Sequence, residues 1–204
     1  LDIKLIDKIR QSQSPSKNKT FMFISRPERG LIALLGTIWP RICTEIDPNV
    51  HLKICSYAVP QRNLSPQVHD IYKQIDALVA QTKNLTMLGN LPKEQLYKEI
   101  RQSTALLYPT DFPEISCIAV AEAAACGTPI VTTGRFALPE TLGKNYPGLV
   151  NANPMTNLPG YSDLFISKVK DLLIDPNPFI NAGYEAIERR DWLDVAKTWV
   201  DRFE

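Results

Sequence analysis

The amino-acid sequence predicts an α/β fold, in which a parallel β-sheet is covered by helices on both faces. Short apolar runs alternate with longer segments whose apolar residues recur at helical spacing, over most of the 204-residue chain. Most of the apolar runs are typical of strands that are buried on both sides of a sheet. The chain is 44% hydrophobic, which is enough for one domain with a substantial core. Ligands of such sheets bind at the carboxyl ends of the strands, so the functional residues are expected there.

Residues 1–19 are predicted to form an N-terminal helix and a linker, ahead of a main domain at 20–204. Apolar residues recur at helical spacing within residues 1–12. The polar stretch at 13–19 contains the sequence Ser-Pro-Ser, which is typical of a linker.

Short apolar runs bounded by turn signals predict the strands of the main domain. These strands are 20–25, 50–57, 84–88, 104–108, 128–132 and 148–151.

Helical periodicity fills the intervals and the C-terminal part of the chain. Pro40 lies inside the first helix of the main domain and is expected to kink or split it. Pro92 stands near the first position of a helix, where its missing N–H costs nothing, and Gly127 ends an Ala-rich helix. The predicted helices are 31–46, 68–79, 92–102, 117–126, 138–142, 162–174, 179–189 and 192–203.

Composition and charge argue against several classes of protein. Lys and Arg number 23 against 22 Asp and Glu, and a net charge of +1 is not that of a typical nucleic-acid binder. The four cysteines show no CxxC pairing and there are two histidines, so we expect a reduced, cytoplasmic protein without a bound metal. No apolar run approaches the roughly 18 residues of a membrane span.

Three nucleotide-binding or catalytic motifs are absent from the sequence. No G-x-G-x-x-G follows a predicted strand, which argues against a dinucleotide site, and the P-loop pattern does not occur. The G-x-S-x-G nucleophile elbow of one class of hydrolases does not occur either.

A turn with two arginines follows the first strand and is the first candidate site. Arg26 and Arg29 lie three residues apart, and their forked guanidinium groups match the oxygens of a diphosphate. Gly30 lets the backbone approach a ligand closely at the start of the next helix. An ordinary surface turn, in which Glu28 pairs with one of the arginines, is the alternative interpretation.

Two glutamates around the start of the Ala-rich helix form the second candidate site. Glu114 precedes this helix and Glu122 lies about two turns further along it, so both can face one cleft. Their carboxylates accept hydrogen bonds from sugar hydroxyls, and free amides at residues 115–118 can meet a phosphate or a hydroxyl. Alternatively, Glu122 is satisfied by a backbone amide.

A third segment, at 132–134 and 137–140, follows the fifth strand. It is predicted either to line the same pocket or to be purely structural, with Glu140 capping its own helix.

The run YPTDFPEISCIAVAEAAACGTPIVTT, at 108–133, resembles the signature of the retaining glycosyltransferases of family 4. Glu114 and Glu122 match its E-x7-E pair. The segments SRPERGL, LGNLPKEQLYKEI and ALPET are similar to other parts of this family, and the resemblance covers roughly residues 20–150. Departures from the pattern are Arg29 in place of the common lysine, Ser116-Cys117 in place of Phe-Gly, and residues 56–58 in place of Gly-x-Gly.

The resemblance implies a GT-B fold, in which two Rossmann-like domains face each other across a cleft. This chain resembles the C-terminal, donor-binding half, so an acceptor-binding N-terminal domain is expected outside it. The resemblance implies transfer of a hexose from a nucleoside diphosphate sugar by a metal-independent, retaining reaction that needs no cofactor besides the donor substrate. It also implies that this half alone is inactive, and it leaves open a location at a membrane surface for the whole protein.

The same resemblance assigns a role to each candidate residue. Arg26 and Arg29 would bind the diphosphate, Glu114 the hydroxyls of the transferred sugar, and Glu122 the ribose. The remaining contacts would come from Gly30 at the turn, from Gly89, Asn90 and Leu91 near the base, and from amides at Ile115, Ser116, Cys117 and Ile118.

Two other functions remain open at this point. One is an enzyme of the same architecture, either a GT-B phosphorylase or a nucleotide-sugar epimerase. The other is a nucleotide-binding module without catalytic activity.

The last helix, at 192–203, carries an apolar stripe, and the helix at 1–12 carries another. Each stripe packs either on this domain or on the expected N-terminal domain outside this chain. Exposure of these stripes would favour self-association of this piece.

Overall fold

A six-stranded parallel sheet in the order β3-β2-β1-β4-β5-β6 lies at the centre of the molecule. The computed structural model describes residues 1–14, 19–56, 65–187 and 192–203. Each predicted strand is present with small shifts at its ends, which confirms the predicted α/β fold class; the predicted strand residue Tyr57 lies outside the described residues. The strands are β1 Thr20–Ile24, β2 His51–Cys55, β3 Leu85–Gly89, β4 Ala105–Tyr108, β5 Ile130–Thr133 and β6 Leu149–Val150.

The helices form two groups, one on each face of the sheet. One group packs α2, α3, α4 and α8 together, and the other packs α1, α5, α6, α7 and α9 together. The helices are α1 Ile3–Ser12, α2 Leu31–Ala33, α3 Trp39–Glu45, α4 Pro66–Gln81, α5 Lys93–Gln102, α6 Ile118–Ala125, α7 Leu138–Leu142, α8 Leu158–Ile174, α9 Asn177–Ala186 and α10 Trp192–Phe203.

Pro40 affects its helix in a different way from the kink or split that the sequence predicts. A π-helical segment, Leu34–Ile38, joins α2 to α3, so the helical path continues through the proline. The N–H of Trp39 donates to the carbonyl of Leu34, five residues back. The wider π turn relieves the clash between a proline ring and the preceding turn, which explains why the helix is not broken.

Two of the C-terminal helices begin earlier than predicted. The helix predicted at 162–174 starts at Leu158, because the Asn157 side chain accepts a hydrogen bond from the Gly160 amide at 3.1 Å and caps the first turn. The proline and glycine of this turn are helix breakers in a helix interior but are tolerated at its start. α9 likewise begins at Asn177, and residues 188–189 of its predicted end lie outside the described residues.

The two terminal helices differ in what covers their apolar faces. In α1, Ile3, Ile6 and Ile9 are buried and the helix packs on α5, so of the two alternatives for the stripe at 1–12 the structure shows packing on this domain. In α10, by contrast, Trp199 and Phe203 are 63% and 86% exposed. Within the described residues, no helix has both the length and the apolar character that crossing a membrane requires.

The order of the strands creates a crevice at one edge of the sheet. The chain runs from β1 outward to β2 and β3, then returns to place β4 on the other side of β1. The connections that follow β1 and β4 therefore leave the carboxyl edge in opposite directions and open a crevice between them. The two arginines follow β1 and Glu114 follows β4, so this topology brings them to the same place.

Candidate functional site

A cavity of about 380 Å³ opens at the carboxyl ends of β1, β2 and β4. It contains most of the residues that the sequence singles out, together with several that it does not. The lining residues are Ile24, Ser25, Arg26, Arg29, Cys55, Ser56, Asn90, Leu91, Lys93, Leu96, Glu114, Ser116, Cys117, Ile118, Ala119 and Glu122.

Arg26 lies at the cavity and is ion-paired within its own turn. Its guanidinium pairs with Glu28, whose other oxygen accepts a hydrogen bond from the Tyr72 hydroxyl at 2.7 Å. Burial and the neighbouring Glu28 carboxylate raise the pKa of Tyr72 to about 12, so this hydroxyl remains a donor at neutral pH. The pairing matches the alternative interpretation of the turn, although Arg26 still lines the cavity.

Arg29 reaches across the cavity instead of pairing locally. Its Nη1 lies 3.2 Å from Oε1 of Glu114, and the guanidinium stacks 3.9 Å above the centre of the Phe112 ring. The Nε atoms of both Arg26 and Arg29 are buried and have no hydrogen-bond partner among the described residues. Each arginine therefore has one buried donor that no described residue satisfies.

Gly30 is required by the packing of its turn. Its φ is +108°, and a Cβ at this position would lie 2.4 Å from the carbonyl oxygen of Pro109. Gly30 is not part of the cavity wall and instead borders a separate pocket of about 240 Å³. The close approach is thus between this turn and the end of β4.

Glu114 is a buried carboxylate with two partners on one oxygen. Its side chain is 6% exposed, and Oε1 accepts hydrogen bonds from Arg29 and, at 2.5 Å, from the Tyr108 hydroxyl. The Glu114 backbone carbonyl accepts from the Ala137 amide at 3.1 Å. Burial and the hydrogen bond to Glu114 raise the pKa of Tyr108, which keeps its hydroxyl protonated. Glu114 is therefore fixed from both β4 and the loop before α7.

Glu122 has the same kind of arrangement, built from α5. Its side chain is 4% exposed, and Oε1 accepts hydrogen bonds from Lys93 Nζ and, at 2.9 Å, from the Tyr97 hydroxyl. No backbone amide is among its donors within the described residues, which differs from the alternative that the sequence left open. Burial, followed by the charge of Glu122, raises the pKa of Tyr97.

The N-terminus of α6 points into the same cavity. Cys117 is the N-cap residue but provides no side-chain hydrogen bond, and the first helical bond runs from the Ala121 amide to the Cys117 carbonyl. The amides of the first turn of a helix lack helical partners and carry a partial positive charge. Burial raises the pKa of the Cys117 thiol to about 12, so this cysteine is a protonated wall residue and not a nucleophile at neutral pH.

A second cavity of about 800 Å³ adjoins the first on the outer side of α6. The two cavities share Lys93, Ser116, Ile118 and Glu122 in their walls. Ile115 lines the second cavity and not the first, and it is 93% exposed.

The segments after β3 and β5 are used differently from each other. Asn90 and Leu91 line the first cavity. The Gly89 carbonyl instead accepts a hydrogen bond from the Ser56 amide at 3.1 Å, which extends the pairing of β2 and β3. Residues 57 and 58, in the segment that stands in place of Gly-x-Gly, lie outside the described residues.

The two threonines at the end of β5 are structural. Thr132 and Thr133 are fully buried, and their hydroxyls donate to the carbonyls of Tyr108 and Thr110. Glu140 lies in the wall of the second cavity, and α7 has no side-chain cap.

Sequence reasoning missed the partners of the two glutamates. Tyr97 and Tyr108 lie in the quoted segments at 88–100 and 108–133, and Lys93 lies in the first of these, but the sequence assigns none of the three a role. One signal was available, because Lys93 begins the helix that follows β3, at the edge where ligands bind. Among the described residues, no group of three or more His, Cys, Asp or Glu side chains is arranged to hold a metal ion.

Comparison with protein families gives one match that covers most of the chain. The family described as glycosyl transferases group 1 matches residues 6–185. No curated protein sequence matches this chain significantly.

Several solved structures have the same fold. An Anabaena protein, HepE, in complex with UDP and glucose, is 19% identical, with a TM-score of 0.69 over 100% of this chain and 54% of its own length. Sucrose-phosphate synthase from Thermosynechococcus elongatus is 19% identical, with a TM-score of 0.70 over 100% of this chain and 51% of its own. The pneumococcal O-GlcNAc transferase GtfA, in complex with UDP and GlcNAc, is 14% identical, with a TM-score of 0.66 over 92% of this chain and 36% of its own. The chain thus spans about half the length of the first two.

Proposed function

The chain belongs to the group 1 glycosyl transferase family, and from this premise we propose that it is the donor-binding domain of a retaining glycosyltransferase. The donor would be a nucleoside diphosphate hexose, and the acceptor would be bound largely outside this chain. One observation carries the proposal: Arg26, Arg29, Glu114 and Glu122 line a single cavity, together with the N-terminus of α6. UDP in the structures of HepE and GtfA makes a uridine nucleotide the first ligand to test.

Positive groups at one end of the cavity would hold the diphosphate. Arg26 and Arg29 both line the cavity with side chains that are 31% and 26% exposed, and the first-turn amides of α6 add positive potential. The departing diphosphate gains negative charge as the bond to the sugar breaks. Donors that are already fixed in position stabilise this charge without rearranging, which is how they lower the barrier of the reaction. This chemistry needs no metal ion.

The two glutamates would hold the hydroxyl-bearing ends of the donor. Each uses only Oε1 for its partners, so Oε2 has no donor among the described residues. Glu114 lies beside Arg29 and would accept hydroxyls of the transferred hexose, whereas Glu122 lies deeper along α6 and would accept those of the ribose. Asn90, Leu91 and the amides of Ser116, Cys117 and Ile118 would complete the site.

Retention of the anomeric configuration is inferred from the resemblance of residues 108–133 to family 4. Because the chain spans about half the length of HepE, we propose that it is inactive alone and that a further domain supplies the acceptor site. A cytoplasmic location, with or without association with a membrane surface, is part of the same proposal.

Titration calorimetry of the protein with UDP, GDP and their hexose conjugates tests the proposal. We expect one nucleotide family to bind, and its hexose conjugate to be hydrolysed or transferred by the protein at its natural length. The configuration of the product, read by NMR, tests retention. Failure of both nucleotides to bind at millimolar concentration would contradict the proposal, and phosphate-dependent release of a sugar phosphate would favour a phosphorylase.

A further inference from the structure

Lys93 is a cavity residue to which the proposed function assigns no role. It begins α5 and lines both cavities. Its Nζ pairs with Oε1 of Glu122, and the two side chains are 57% and 4% exposed. The buried carboxylate would be costly without a counter-charge, whereas the lysine ammonium is a compact charge on a flexible stem that water also reaches.

The hydrogen-bonding capacity of one Glu122 oxygen is already used. Lys93 and Tyr97 both donate to Oε1, and a carboxylate oxygen offers about two lone-pair sites. The raised pKa of Tyr97 keeps its hydroxyl protonated, so it remains a donor at neutral pH.

The other oxygen of Glu122 remains open to a ligand. Oε2 accepts no hydrogen bond from the described residues, and it is not among the buried atoms that lack a partner, so it reaches accessible space. An incoming ligand would therefore find one free carboxylate oxygen instead of two.

We infer that Lys93 is a specificity-determining residue that limits how strongly the site distinguishes a ribose from a deoxyribose. This inference rests on the proposed function, in which Glu122 accepts the ribose hydroxyls. With Oε1 occupied, the 2′ and 3′ hydroxyls must share Oε2. Without the lysine donor, Oε1 regains an acceptor site and each hydroxyl can bind its own oxygen.

The experiment compares three nucleotides on the wild-type protein and on Lys93→Met, with the protein at its natural length. Dissociation constants of UDP, 2′-deoxy-UDP and 3′-deoxy-UDP are measured by calorimetry, or those of the guanosine series if only GDP binds. We expect the ratio of the deoxy to the ribo dissociation constant to rise about tenfold in Lys93→Met for at least one analogue, which is typical of one hydrogen bond to a charged group.

Ratios that stay within about twofold of wild type, or that fall, would overturn the inference. If the substitution only loosens α5, the binding of all three nucleotides weakens together and the ratios of their dissociation constants stay unchanged. The ratios therefore distinguish a role in specificity from a merely structural role. If the wild-type protein binds no nucleotide, the proposed function fails and the inference fails with it. Tight binding with unchanged ratios overturns the inference alone.

Two further variants keep the test independent of one substitution. Tyr97→Phe removes the other donor to Oε1 and is expected to raise the same ratio. Lys98→Met is the matched control: Lys98 lies on the same helix, pairs with Glu94 at 2.6 Å and lines neither cavity. Its ratios are expected to equal those of the wild type.

Discussion

Glu114 and Glu122 are held by the same combination of groups but on different supports. In each, one carboxylate oxygen accepts hydrogen bonds from a basic side chain and a tyrosine hydroxyl. The cation of Glu114 is Arg29, which is 26% exposed and stacked on an aromatic ring. The cation of Glu122 is Lys93, which is 57% exposed.

The difference suggests a fixed end and an adjustable end of the cavity. A planar guanidinium that is stacked and hydrogen-bonded has little freedom left, so the Glu114 network is already organised before a ligand arrives. A solvated ammonium exchanges readily between a carboxylate and water, so the Glu122 network can change partners at lower cost. The fixed end is where the proposed reaction needs charges in place.

The largest effect is expected from breaking the fixed end. Arg29→Ala removes a positive group from the proposed diphosphate and leaves a buried Glu114 without its cation. Loss of one preorganised donor typically lowers kcat by about 100-fold to 1000-fold. Steady-state turnover of the nucleotide sugar by the protein at its natural length measures this effect.

Arg26→Ala is the comparison for that experiment, because Arg26 is paired within its own turn. It should also lower turnover strongly, but without the loss of stability that an unpaired buried Glu114 causes. Near-normal turnover in both variants would refute the diphosphate assignment.

A smaller effect separates the two tyrosines. Tyr108→Phe removes a hydroxyl that contacts both Glu114 and Ser25, whereas Tyr97→Phe removes a hydrogen bond from Glu122 alone. We expect losses of about 2 kcal/mol for Tyr108→Phe and about 1 kcal/mol for Tyr97→Phe in the free energy of unfolding. Urea denaturation measures both, and a greater loss in Tyr97→Phe would contradict the idea of a fixed Glu114 end.

A further effect appears at alkaline pH. The pKa values of Tyr97 and Tyr108 are raised in the folded protein, chiefly by burial, above the ordinary value of about 10. As the pH rises, the unfolded chain therefore loses its phenol protons before the folded protein does. The stability that the two protonated phenols contribute is complete below pH 10 and declines as the pH rises towards the folded pKa values. Each such phenol contributes a slope of up to about −1.4 kcal/mol per pH unit.

Either Tyr→Phe substitution should make this decline less steep. Denaturation at several values from pH 8 to pH 11 measures it, and the wild-type stability below pH 10 is the internal reference. An unchanged slope in both variants would show that these phenols ionise alike in the folded and unfolded chains.

Local sequence patterns were enough to predict the strands and the edge of the sheet at which the candidate cavity lies. The apolar runs predicted each strand because a strand buried on both faces needs apolar residues throughout. Arg26, Arg29 and Glu114 were singled out because they follow predicted strands, and parallel strands collect their carboxyl ends at one edge. Glu122 was singled out because it lies about two turns along the helix that follows Glu114. The π-helical route past Pro40 was not predicted, since a π turn depends on how the helix packs and leaves no clear local pattern.

The terminal helices show the same limit. Both carry apolar stripes in the sequence, yet Ile6 of α1 is buried while Trp199 of α10 is exposed. Periodicity identifies an apolar face but not the surface that covers it.

The sequence alone determined the order of strands and helices and the kinds of charge at the carboxyl edge, because both follow from spacing along the chain. Only the tertiary structure decided that Arg29 pairs with Glu114 and that Lys93 and Tyr97 share an oxygen of Glu122. Those partners lie on different elements, and hydrogen bonds form over about 3 Å in space whatever the separation along the chain.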